Sequence, residues 1–202
     1  MKTVEEAKPV LIVIAGPNGS GKTTITSRIL KHEWRSNAMY INPDQVAQER
    51  YGDWNSQEAI LKAAQYCEEQ REHCLAAKKS LVFETVMSVD AKVDFIRRAK
   101  EAGYFVRLFF VSTCSPTINA SRIAKRVMEG GHDVPIKKII SRYYRSLANC
   151  MIVSSFVDRT YVYDNSQDNV EAQLLFRLAN GRLQKRYIAD MPDWAKPILD
   201  NR

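Results

Sequence analysis

The sequence predicts an α/β fold in which helices cover both faces of a parallel sheet. Short apolar runs alternate along the chain with longer amphipathic patterns, which is typical of strands joined by crossover helices. The apolar runs lie at residues 10–15, 38–42, 80–83, 104–111 and 159–163. With 202 residues, of which 45% are hydrophobic, the chain can bury one sizeable core. We therefore expect one domain over residues 1–202, built in three layers.

The first apolar run leads directly into a glycine-rich loop of the pattern G-x-x-x-x-G-K-T, and a helical pattern follows. In such a loop the backbone N–H groups turn toward phosphate oxygens, the lysine reaches the β and γ phosphates, and the threonine coordinates Mg²⁺. A glycine-rich turn without a ligand is the alternative, which the flanking strand and helix make weak. The predicted nucleotide-binding residues are Gly16, Pro17, Asn18, Gly19, Ser20, Gly21, Lys22, Thr23 and Thr24, with Thr23 as the metal ligand. The fold class is thus a three-layer P-loop NTPase of the nucleoside-kinase-like kind.

The remaining segments follow in order. Residues 56–77 and 90–102 repeat apolar side chains at helical spacing, so both helices should pack on the sheet. Residues 115–151 combine two arginine-bearing helices with a loop that contains Gly130-Gly131, and a mobile lid is expected there, with the glycines as a hinge or as an ordinary helix stop. Residues 173–188 alternate around Asn180-Gly181, which predicts a hairpin. A short helix is expected from Pro192.

Composition excludes several classes of protein. No run approaches the roughly 18 apolar residues of a membrane span, and the N-terminus has no signal pattern, so we expect a cytoplasmic protein with no membrane partner. The four cysteines are scattered, which argues against a zinc site or a disulfide framework. The net charge of +7 suits nucleic acid, but a protein that grips several phosphates needs the same surplus. Charge alone does not decide between them.

Asp44 follows the second apolar run, in the segment Asn42-Pro43-Asp44. Because the carboxyl ends of parallel strands line the ligand crevice, Asp44 should face the P-loop. There it could accept the proton of a substrate hydroxyl that attacks the γ-phosphate. A helix N-cap at Asp44 is an equally good interpretation of the local sequence.

Glu84 and Thr85 close the third predicted strand. A charged residue at the end of a buried strand again points into the crevice, where it could bind a polar substrate or, as the less favoured role, hold Mg²⁺ through water. The plain alternative is a strand end that reaches solvent.

Arginines mark both helices of the predicted lid. Arg122, Lys125 and Arg126 share one helix face, because they are three and four residues apart. Such a face is commonly just solvated, but it could also clamp the transferring phosphoryl group. Arg142 and Arg145, on the next helix, could support the same cluster.

Two other polar residues carry weaker signals. Asp164 closes the last predicted sheet strand and could serve as a Walker B carboxylate or lie near the nucleotide base. Among the three histidines only His132, in the lid loop, has a placement that suggests function.

Taken together, four segments resemble the zeta-toxin family of P-loop kinases. They are the P-loop at residues 15–24, Asn42-Pro43-Asp44, Phe83-Glu84-Thr85, and the lid from Arg122 to Arg145. The resemblance covers roughly residues 10–166 and is closest to the compact, single-domain branch of the family. Only about eight residues precede the first strand, so no fused antitoxin segment is expected.

What the resemblance implies is ATP- and Mg²⁺-dependent phosphorylation of a hydroxyl on a nucleotide sugar, which is UDP-N-acetylglucosamine in the best-known members. It makes Asp44 the catalytic base and Glu84 a substrate-binding residue, and it places phosphate-contacting arginines near Arg122 and Arg126. The resulting catalytic set is Lys22, Asp44, Arg122 and Arg126, and the substrate-binding set is Glu84, Thr85, Arg142 and Arg145. The sequence leaves open which lid arginines contact phosphate. It also leaves open whether a separate antitoxin protein is a partner.

Two other functions remain as alternatives. The positive charge, with aromatic residues among basic ones at 142–145 and 185–187, fits a kinase for nucleic acid 5′-hydroxyls, although nucleic acid is the less favoured partner. A nucleotide-driven switch would need a guanine-reading N-K-x-D tetrapeptide or a clear Walker B strand. The sequence has no such tetrapeptide and offers only Asp164 for the strand.

Overall fold

The computed structural model describes residues 8–29, 31, 38–52, 56–131 and 133–200. Strands and helices alternate along most of this length. The strands are β1 (Val10–Ala15), β2 (Met39–Ile41), β3 (Leu81–Thr85), β4 (Phe105–Ser112), β5 (Arg159–Asp164), β6 (Gln173–Ala179) and β7 (Arg182–Arg186). The helices are α1 (Lys22–Ile29), α2 (Pro43–Tyr51), α3 (Gln57–Ala76), α4 (Asp90–Glu101), α5 (Pro116–Met128), α6 (Ile136–Ser154) and α7 (Lys196–Asp200).

These strands form one sheet in the order β2-β3-β1-β4-β5-β6-β7. The first five are parallel, whereas β6 is antiparallel to both β5 and β7. The predicted hairpin therefore forms and extends the parallel sheet at one edge. Because β1 lies between β3 and β4, the loop that follows β1 opens among the carboxyl ends of the central strands, where α/β proteins bind ligands.

Strand β1 is buried on both faces of the sheet, which explains its uninterrupted apolar sequence. On one face Leu11 and Val13 join a core that also takes in side chains of α3, α4, α6 and α7. On the other face Ile12 and Ile14 pack with Ile25 of α1. Helices thus cover both sides of the sheet, and the predicted three-layer α/β fold is confirmed.

The first lid helix, α5, ends at a glycine pair. Gly130 has a φ of 86°, and its N–H donates to the carbonyl of Val127 at 3.0 Å. The N–H of Gly131 reaches back to the carbonyl of Arg126 at 2.8 Å. These two bonds define a Schellman cap, in which the left-handed residue is nearly always glycine. Of the two interpretations of the pair, the structure supports the helix stop.

The C-terminal helix begins later than predicted. Pro192 starts a turn, in which its carbonyl accepts a hydrogen bond from the N–H of Ala195 at 2.9 Å, and α7 follows from Lys196. Among the helices of the described ranges, none is long and apolar enough to cross a bilayer.

Candidate active site

The P-loop connects the buried end of β1 to the first turn of α1. Lys22, the first residue of α1, folds back over the loop and donates hydrogen bonds to the carbonyls of Gly16 at 2.8 Å and Pro17 at 2.9 Å. The ammonium group is therefore held over the concave side of the loop, where the motif requires it for phosphate binding.

Two asparagine side chains brace this loop from elements that are distant in sequence. Asn119 of α5 is fully buried, and its amide donates to the carbonyl of Asn18 at 2.6 Å while its oxygen accepts from the hydroxyl of Thr113. Asn165, which follows β5, donates to the carbonyl of Ser20 at 2.9 Å. Both braces fix the loop conformation through its backbone.

The loop glycines stand where these braces approach most closely. A Cβ atom on Gly19 would lie 2.6 Å from the carbonyl oxygen of Asn119, and one on Gly21 would lie 2.1 Å from the amide nitrogen of Asn165. Both glycines also have positive φ angles, of 75° and 87°. The motif glycines are thus required by packing as well as by backbone conformation.

The hydroxyl groups of the loop fit a phosphate with Mg²⁺. Thr23 is exposed in the first turn of α1 and lines the cavity in front of the loop. The Ser20 hydroxyl is buried and has no hydrogen-bond partner within the described residues. Thr24 is exposed, and its N–H donates to the carbonyl of Gly21 at 3.3 Å. The described chain contains no cluster of three or more acidic, histidine or cysteine side chains, so Thr23 would bind the ion together with the phosphates.

A cavity of about 710 Å³ opens in front of the P-loop, a size typical of small-molecule sites. We group its lining residues by the elements that carry them into a P-loop half and an α3 half, and we call Asp44 and Glu84, which act on Lys22 and are counted in neither group, the boundary residues. The P-loop half is lined by Asn18, Gly19, Gly21, Lys22, Thr23, Arg122, Arg126 and Arg142. The α3 half is lined by Ile60, Ala64, Glu68, Arg71, residues 86–89 and Lys92, whereas Thr85 lines the cavity next to the P-loop.

Asp44 is the second residue of α2 and lines this cavity. The N-cap of α2 is Asn42, whose side-chain oxygen accepts from the N–H groups of Asp44 at 2.9 Å and Gln45 at 3.4 Å. The N-cap interpretation of Asp44 is therefore wrong, because Pro43 occupies the first helical position and the cap precedes it. The carboxylate of Asp44 is exposed and has no hydrogen bond or ion pair within the described residues.

Glu84 is oriented by a tyrosine. The Tyr40 hydroxyl donates to Glu84 at 2.7 Å and accepts from the side-chain amide of Asn42 at 2.9 Å. Desolvation, followed by the bond to Glu84, raises the pKa of Tyr40 well above its ordinary value, so the hydroxyl stays a donor. Since Asn42 also caps α2, one chain of hydrogen bonds couples the positions of Glu84 and Asp44.

Thr85 ends β3, which runs two residues beyond the predicted strand. Its carbonyl accepts from the N–H of Gly16 at 3.2 Å, and its hydroxyl accepts from the N–H of Met87 at 2.9 Å. Thr85 thus lines the cavity while it ties the P-loop to β3.

The lid arginines differ in their contacts. Arg122 is held by the segment after β5: its Nε donates to Asp168 at 2.8 Å, and its Nη1 donates to the carbonyl of Asn165 at 2.8 Å. Its Nη2 lies 2.6 Å from the same carboxylate of Asp168. The guanidinium therefore supports the segment that braces the P-loop, and it reaches the cavity at its edge.

Arg126 and Arg142 face the P-loop half more directly. Arg142 donates to the side-chain oxygen of Asn18 at 3.4 Å. The stem of Arg126 packs on Gly131, where a Cβ atom would lie 2.6 Å from the Cγ of Arg126. Arg145 is exposed and does not line the cavity. The structure thus distinguishes by their contacts four arginines whose contacts with phosphate the sequence left open.

The charged residues around Lys22 shift its pKa in opposite directions. Desolvation lowers the pKa of Lys22 to about 8, and the nearby cation Arg126 acts in the same direction. Glu84 and Asp44 oppose this shift, because carboxylates favour the charged ammonium. Lys22 therefore interacts with both candidate carboxylates and with one lid arginine at the centre of the P-loop half.

Two further cations lie in the α3 half. Arg71, on the same face of α3 as Glu68, is only 5% exposed, and its guanidinium lies 5.3 Å from the ring centre of Phe83 and 6.0 Å from that of Phe95. Burial lowers the pKa of Arg71, and burial together with repulsion by Arg71 lowers the pKa of Lys92.

Several residues of this site were not expected from the sequence. Arg71 interrupts the buried stripe of α3 between Cys67 and Cys74, and an arginine at such a position is a signal that could have been used. Tyr40 alternates with Asn42 on one side of β2, which is a weaker signal. Nothing in the sequence indicates that Asn119 contacts the P-loop.

Asp164 lies away from this cavity. Its carboxylate accepts hydrogen bonds from the N–H and hydroxyl of Ser166, at 2.9 and 2.8 Å, and from the indole of Trp194 at 2.8 Å. These contacts tie the C-terminal segment to β5 and support neither a Walker B role nor a base contact. His132 lies outside the described residues.

The sequence profile of the Zeta toxin family matches residues 1–172 of the chain. Among solved structures, the chain is similar to one of the PezAT toxin–antitoxin system of Streptococcus pneumoniae, with 19% identity, a TM-score of 0.58, and coverage of 84% of this chain and 75% of that one. It is also similar to the AvrRxo1-ORF1:-ORF2 structure with ATP, with 18% identity, a TM-score of 0.64, and coverage of 89% of this chain and 61% of that one. A third similar structure is the Pnkp1/Rnl/Hen1 RNA repair complex, with 17% identity, a TM-score of 0.53, and coverage of 72% of this chain and 47% of that one. No curated protein matches the chain.

The fold and the site define a P-loop kinase. Because the family profile covers most of the sequence, the chain belongs to the Zeta toxin family. This membership confirms the expected class of enzyme, an ATP-dependent phosphotransferase that uses ATP and Mg²⁺. The chain spans about three fifths of the AvrRxo1-ORF1:-ORF2 chain that it matches.

Proposed function

We propose that the chain transfers the γ-phosphoryl group of ATP to a hydroxyl of a nucleotide sugar of the UDP-N-acetylglucosamine type. One observation carries this proposal: a single cavity is lined by the P-loop lysine, by the unpaired carboxylate of Asp44 and by Glu84, with lid arginines on the same side as the P-loop. Membership of the Zeta toxin family supports the choice of acceptor.

On the donor side, the P-loop and Lys22 bind the β and γ phosphates, and Thr23 holds Mg²⁺. A bound ion would supply positive charge that offsets the negative charge developing on the phosphates during transfer. Arg126 and Arg142 line the half of the cavity where charge develops on the γ-phosphoryl group, so we assign them to its stabilisation. Arg122 is assigned to supporting the loop after β5, because its donors are already used there.

On the acceptor side, Asp44 removes the proton of the substrate hydroxyl as the oxygen attacks phosphorus. The bond between the γ-phosphorus and its bridging oxygen breaks, and ADP leaves with that electron pair. Glu84, held by Tyr40, accepts a hydrogen bond from a neighbouring hydroxyl or amide of the acceptor and fixes its orientation. Both carboxylates line the cavity and act on the charge of Lys22, so an acceptor that they hold would lie near the γ-phosphate of a bound nucleotide.

A separate antitoxin protein is a further part of this proposal. The similar PezAT structure belongs to a chromosomal toxin–antitoxin system, which supports a separate antitoxin as a partner of this chain. Co-purification with the protein encoded next to this chain would test it.

The test of the enzymatic proposal is ATP consumption by the purified protein with Mg²⁺ across UDP-sugars, other nucleotide sugars, free nucleosides and oligonucleotides. Selective turnover with a UDP-amino sugar is the expected result. Lys22→Ala serves as the inactive control, because it removes the cation that holds the β and γ phosphates.

Other outcomes separate the alternatives. Turnover only with oligonucleotide 5′-hydroxyls, weakening steeply with salt, would replace the nucleotide sugar with nucleic acid. Slow ATP hydrolysis that no acceptor stimulates would contradict the kinase proposal and favour a nucleotide-driven switch.

A further inference from the structure

Arg71 and Lys92 are two cations in the α3 half that form no ion pair within the described residues. Within the described residues, neither the guanidinium of Arg71 nor the ammonium of Lys92 has a hydrogen bond or an ion pair to a carboxylate. Both line the cavity, and Arg71 is buried to 5% exposure. Most buried charges in proteins are paired, because an unpaired one is costly to desolvate.

The side chains around Arg71 favour its burial but do not neutralise its charge. Its guanidinium lies near the rings of Phe83 and Phe95, which provide attraction to a cation but no hydrogen-bond acceptors. Glu68, one turn earlier on α3, acts on the charges of both cations but is itself exposed to solvent. The rings leave the N–H donors of the guanidinium available, so a ligand in the cavity could supply their acceptors.

This pair is electrostatically distinct from the P-loop cluster. Lys22 is influenced by Glu84, Asp44 and Arg126. Lys92 is influenced by Arg71 and by acidic residues of α3. The nucleotide phosphates are thus matched by one set of cations, and a second set remains in the other half of the same cavity.

The geometry points to a second anion subsite: we propose that Arg71 and Lys92 bind a phosphate or diphosphate ester group of the acceptor. The proposal rests on the proposed function in that it takes the α3 half as the acceptor site. Two cations that line the same cavity, one with the planar donor fork of arginine, match a group with two negative charges and several oxygens better than a single carboxylate.

The shape of the α3 half is consistent with such an acceptor. Ile60, Ala64, Glu68 and Arg71 lie on one face of α3 and line the cavity together. At 1.5 Å per residue this face extends for about 16 Å, and it changes from apolar to charged along its length. An extended acceptor can therefore place a ring against Ile60 and Ala64 and its anionic group at Arg71.

A binding experiment tests the subsite apart from turnover. Inorganic phosphate is titrated calorimetrically into the protein after the P-loop has been saturated with a non-hydrolysable ATP analogue and Mg²⁺. Wild type should bind one phosphate, and Arg71→Met and Lys92→Met should each weaken binding at least about tenfold, the effect of losing one charged hydrogen-bonding partner. Arg97→Met, on the exposed side of α4 where Arg97 pairs with Asp94, should leave binding unchanged.

No phosphate binding by wild type, or equal binding by wild type and both cavity variants, would overturn the subsite. Arg71→Met keeps the length and apolar stem of the side chain, and Lys92 is only half-buried, so the two variants together guard against a folding defect.

Steady-state kinetics then separate failure of the subsite from failure of the proposed function. In Arg71→Met, the KM for a phosphorylated acceptor should rise while the KM for ATP stays constant. Transfer to a nucleotide sugar with an acceptor KM that Arg71→Met does not change would leave the kinase proposal standing and remove the subsite. Phosphate binding that depends on Arg71 and Lys92, without transfer to any nucleotide sugar, would keep the subsite and discard that acceptor.

Discussion

The two halves of the cavity satisfy their charges in different ways. In the P-loop half, Lys22 rests on two loop carbonyls, and Arg122 is held by the segment after β5. In the α3 half, Arg71 and Lys92 have no such partners within the described chain. The P-loop half is therefore organised by the protein itself, whereas the α3 half is completed by its ligand. Removing a brace of the P-loop half should accordingly lower the stability, whereas removing an unpaired cation of the α3 half should raise it.

The largest expected effect lies at the boundary of the halves. Asp44→Asn removes the proposed base but keeps the size of the side chain, and kcat should fall by about 10²–10⁴-fold. Affinity for a non-hydrolysable ATP analogue should not change, because the carboxylate makes no contact that holds the P-loop. Single-turnover transfer and calorimetry measure the two quantities.

Glu49→Gln is the matched control for this variant, since Glu49 lies on the same helix, is exposed, and does not line the cavity. Full transfer by Asp44→Asn would mean that another group, or water, accepts the proton.

The second prediction concerns the braces of the P-loop half. Asn119→Ala removes a fully buried amide and leaves the carbonyl of Asn18 without its donor, while the hydroxyl of Thr113 keeps only its bond to the carbonyl of Ser115 at 2.9 Å. The free energy of unfolding should fall by about 2–3 kcal/mol, and affinity for ATP should fall with it. Denaturant unfolding measures the change. Ser121→Ala, an exposed change on the same helix, should cost little, and equal stability of the two variants would show that the brace is dispensable.

The third prediction uses the glycine pair at the end of α5. A Cβ atom at Gly131 would clash with the side chain and carbonyl of Arg126, whereas one at Gly130 meets open space. Gly131→Ala should displace Arg126 and lower kcat about ten- to a hundredfold, as misplaced catalytic groups do. Gly130→Ala should mainly cost about 1 kcal/mol of stability, because its φ of 86° strains any other residue.

The pair of variants distinguishes a positioning role from a purely structural one. If both lose stability and neither loses kcat, Gly131 only ends the helix. A loss of kcat confined to Gly131→Ala, at a temperature where both proteins are folded, supports its role in placing Arg126.

The parts of this molecule that could be predicted are those encoded by contiguous residues. The P-loop and β1 are adjacent in sequence, and strand β1 has the predicted bounds Val10–Ala15. Asp44 and Glu84 were selected because parallel strands end at one edge of the sheet, a rule that holds whatever the side-chain details are. Both line the cavity with Lys22.

The parts that could not be predicted depend on how distant elements meet. Asn119 and Asn18 are 101 residues apart, and only the packing of α5 against the P-loop brings them together. The lid arginines look alike in sequence, and the rotation of each helix decides which of them face the cavity. The local sequence fits Asp44 equally well as the N-cap of α2 and as a catalytic base. Asn42 followed by proline is itself a strong N-cap signal, and Asn42 is the N-cap in the structure.

The fourth prediction concerns the stability of a variant in the α3 half. Arg71→Met replaces a buried charge that has no ion pair with an apolar side chain of similar length, and the free energy of unfolding should rise by about 1–2 kcal/mol. The same variant should bind phosphate less well. A fall in stability instead would mean that the two phenylalanine rings hold the cation firmly enough to offset its desolvation.

The smallest expected effect is the change in stability caused by Lys22→Met, and its sign depends on pH. Lys22 has a pKa of about 8 in the folded chain, below its ordinary value of 10.5, because its ammonium is desolvated. Below pH 8 the folded state bears the cost of the buried charge, and that cost disappears as the pH rises from 8 to 10.5. Lys22→Met should therefore be more stable than wild type by about 1 kcal/mol at pH 7, since the lost bonds to two carbonyls offset part of the gain.

The difference between the two proteins should shrink above pH 8 and reverse near pH 10, where wild type is neutral and still packs its side chain on the loop. Denaturant unfolding of both proteins across this range measures it, and the contributions of all other groups cancel in the comparison. Parallel stability curves would show that the loop carbonyls keep Lys22 charged throughout. In that case even the P-loop half would carry its central charge without a cost in stability, and the only cations awaiting a ligand among the described cavity residues would be those of the α3 half.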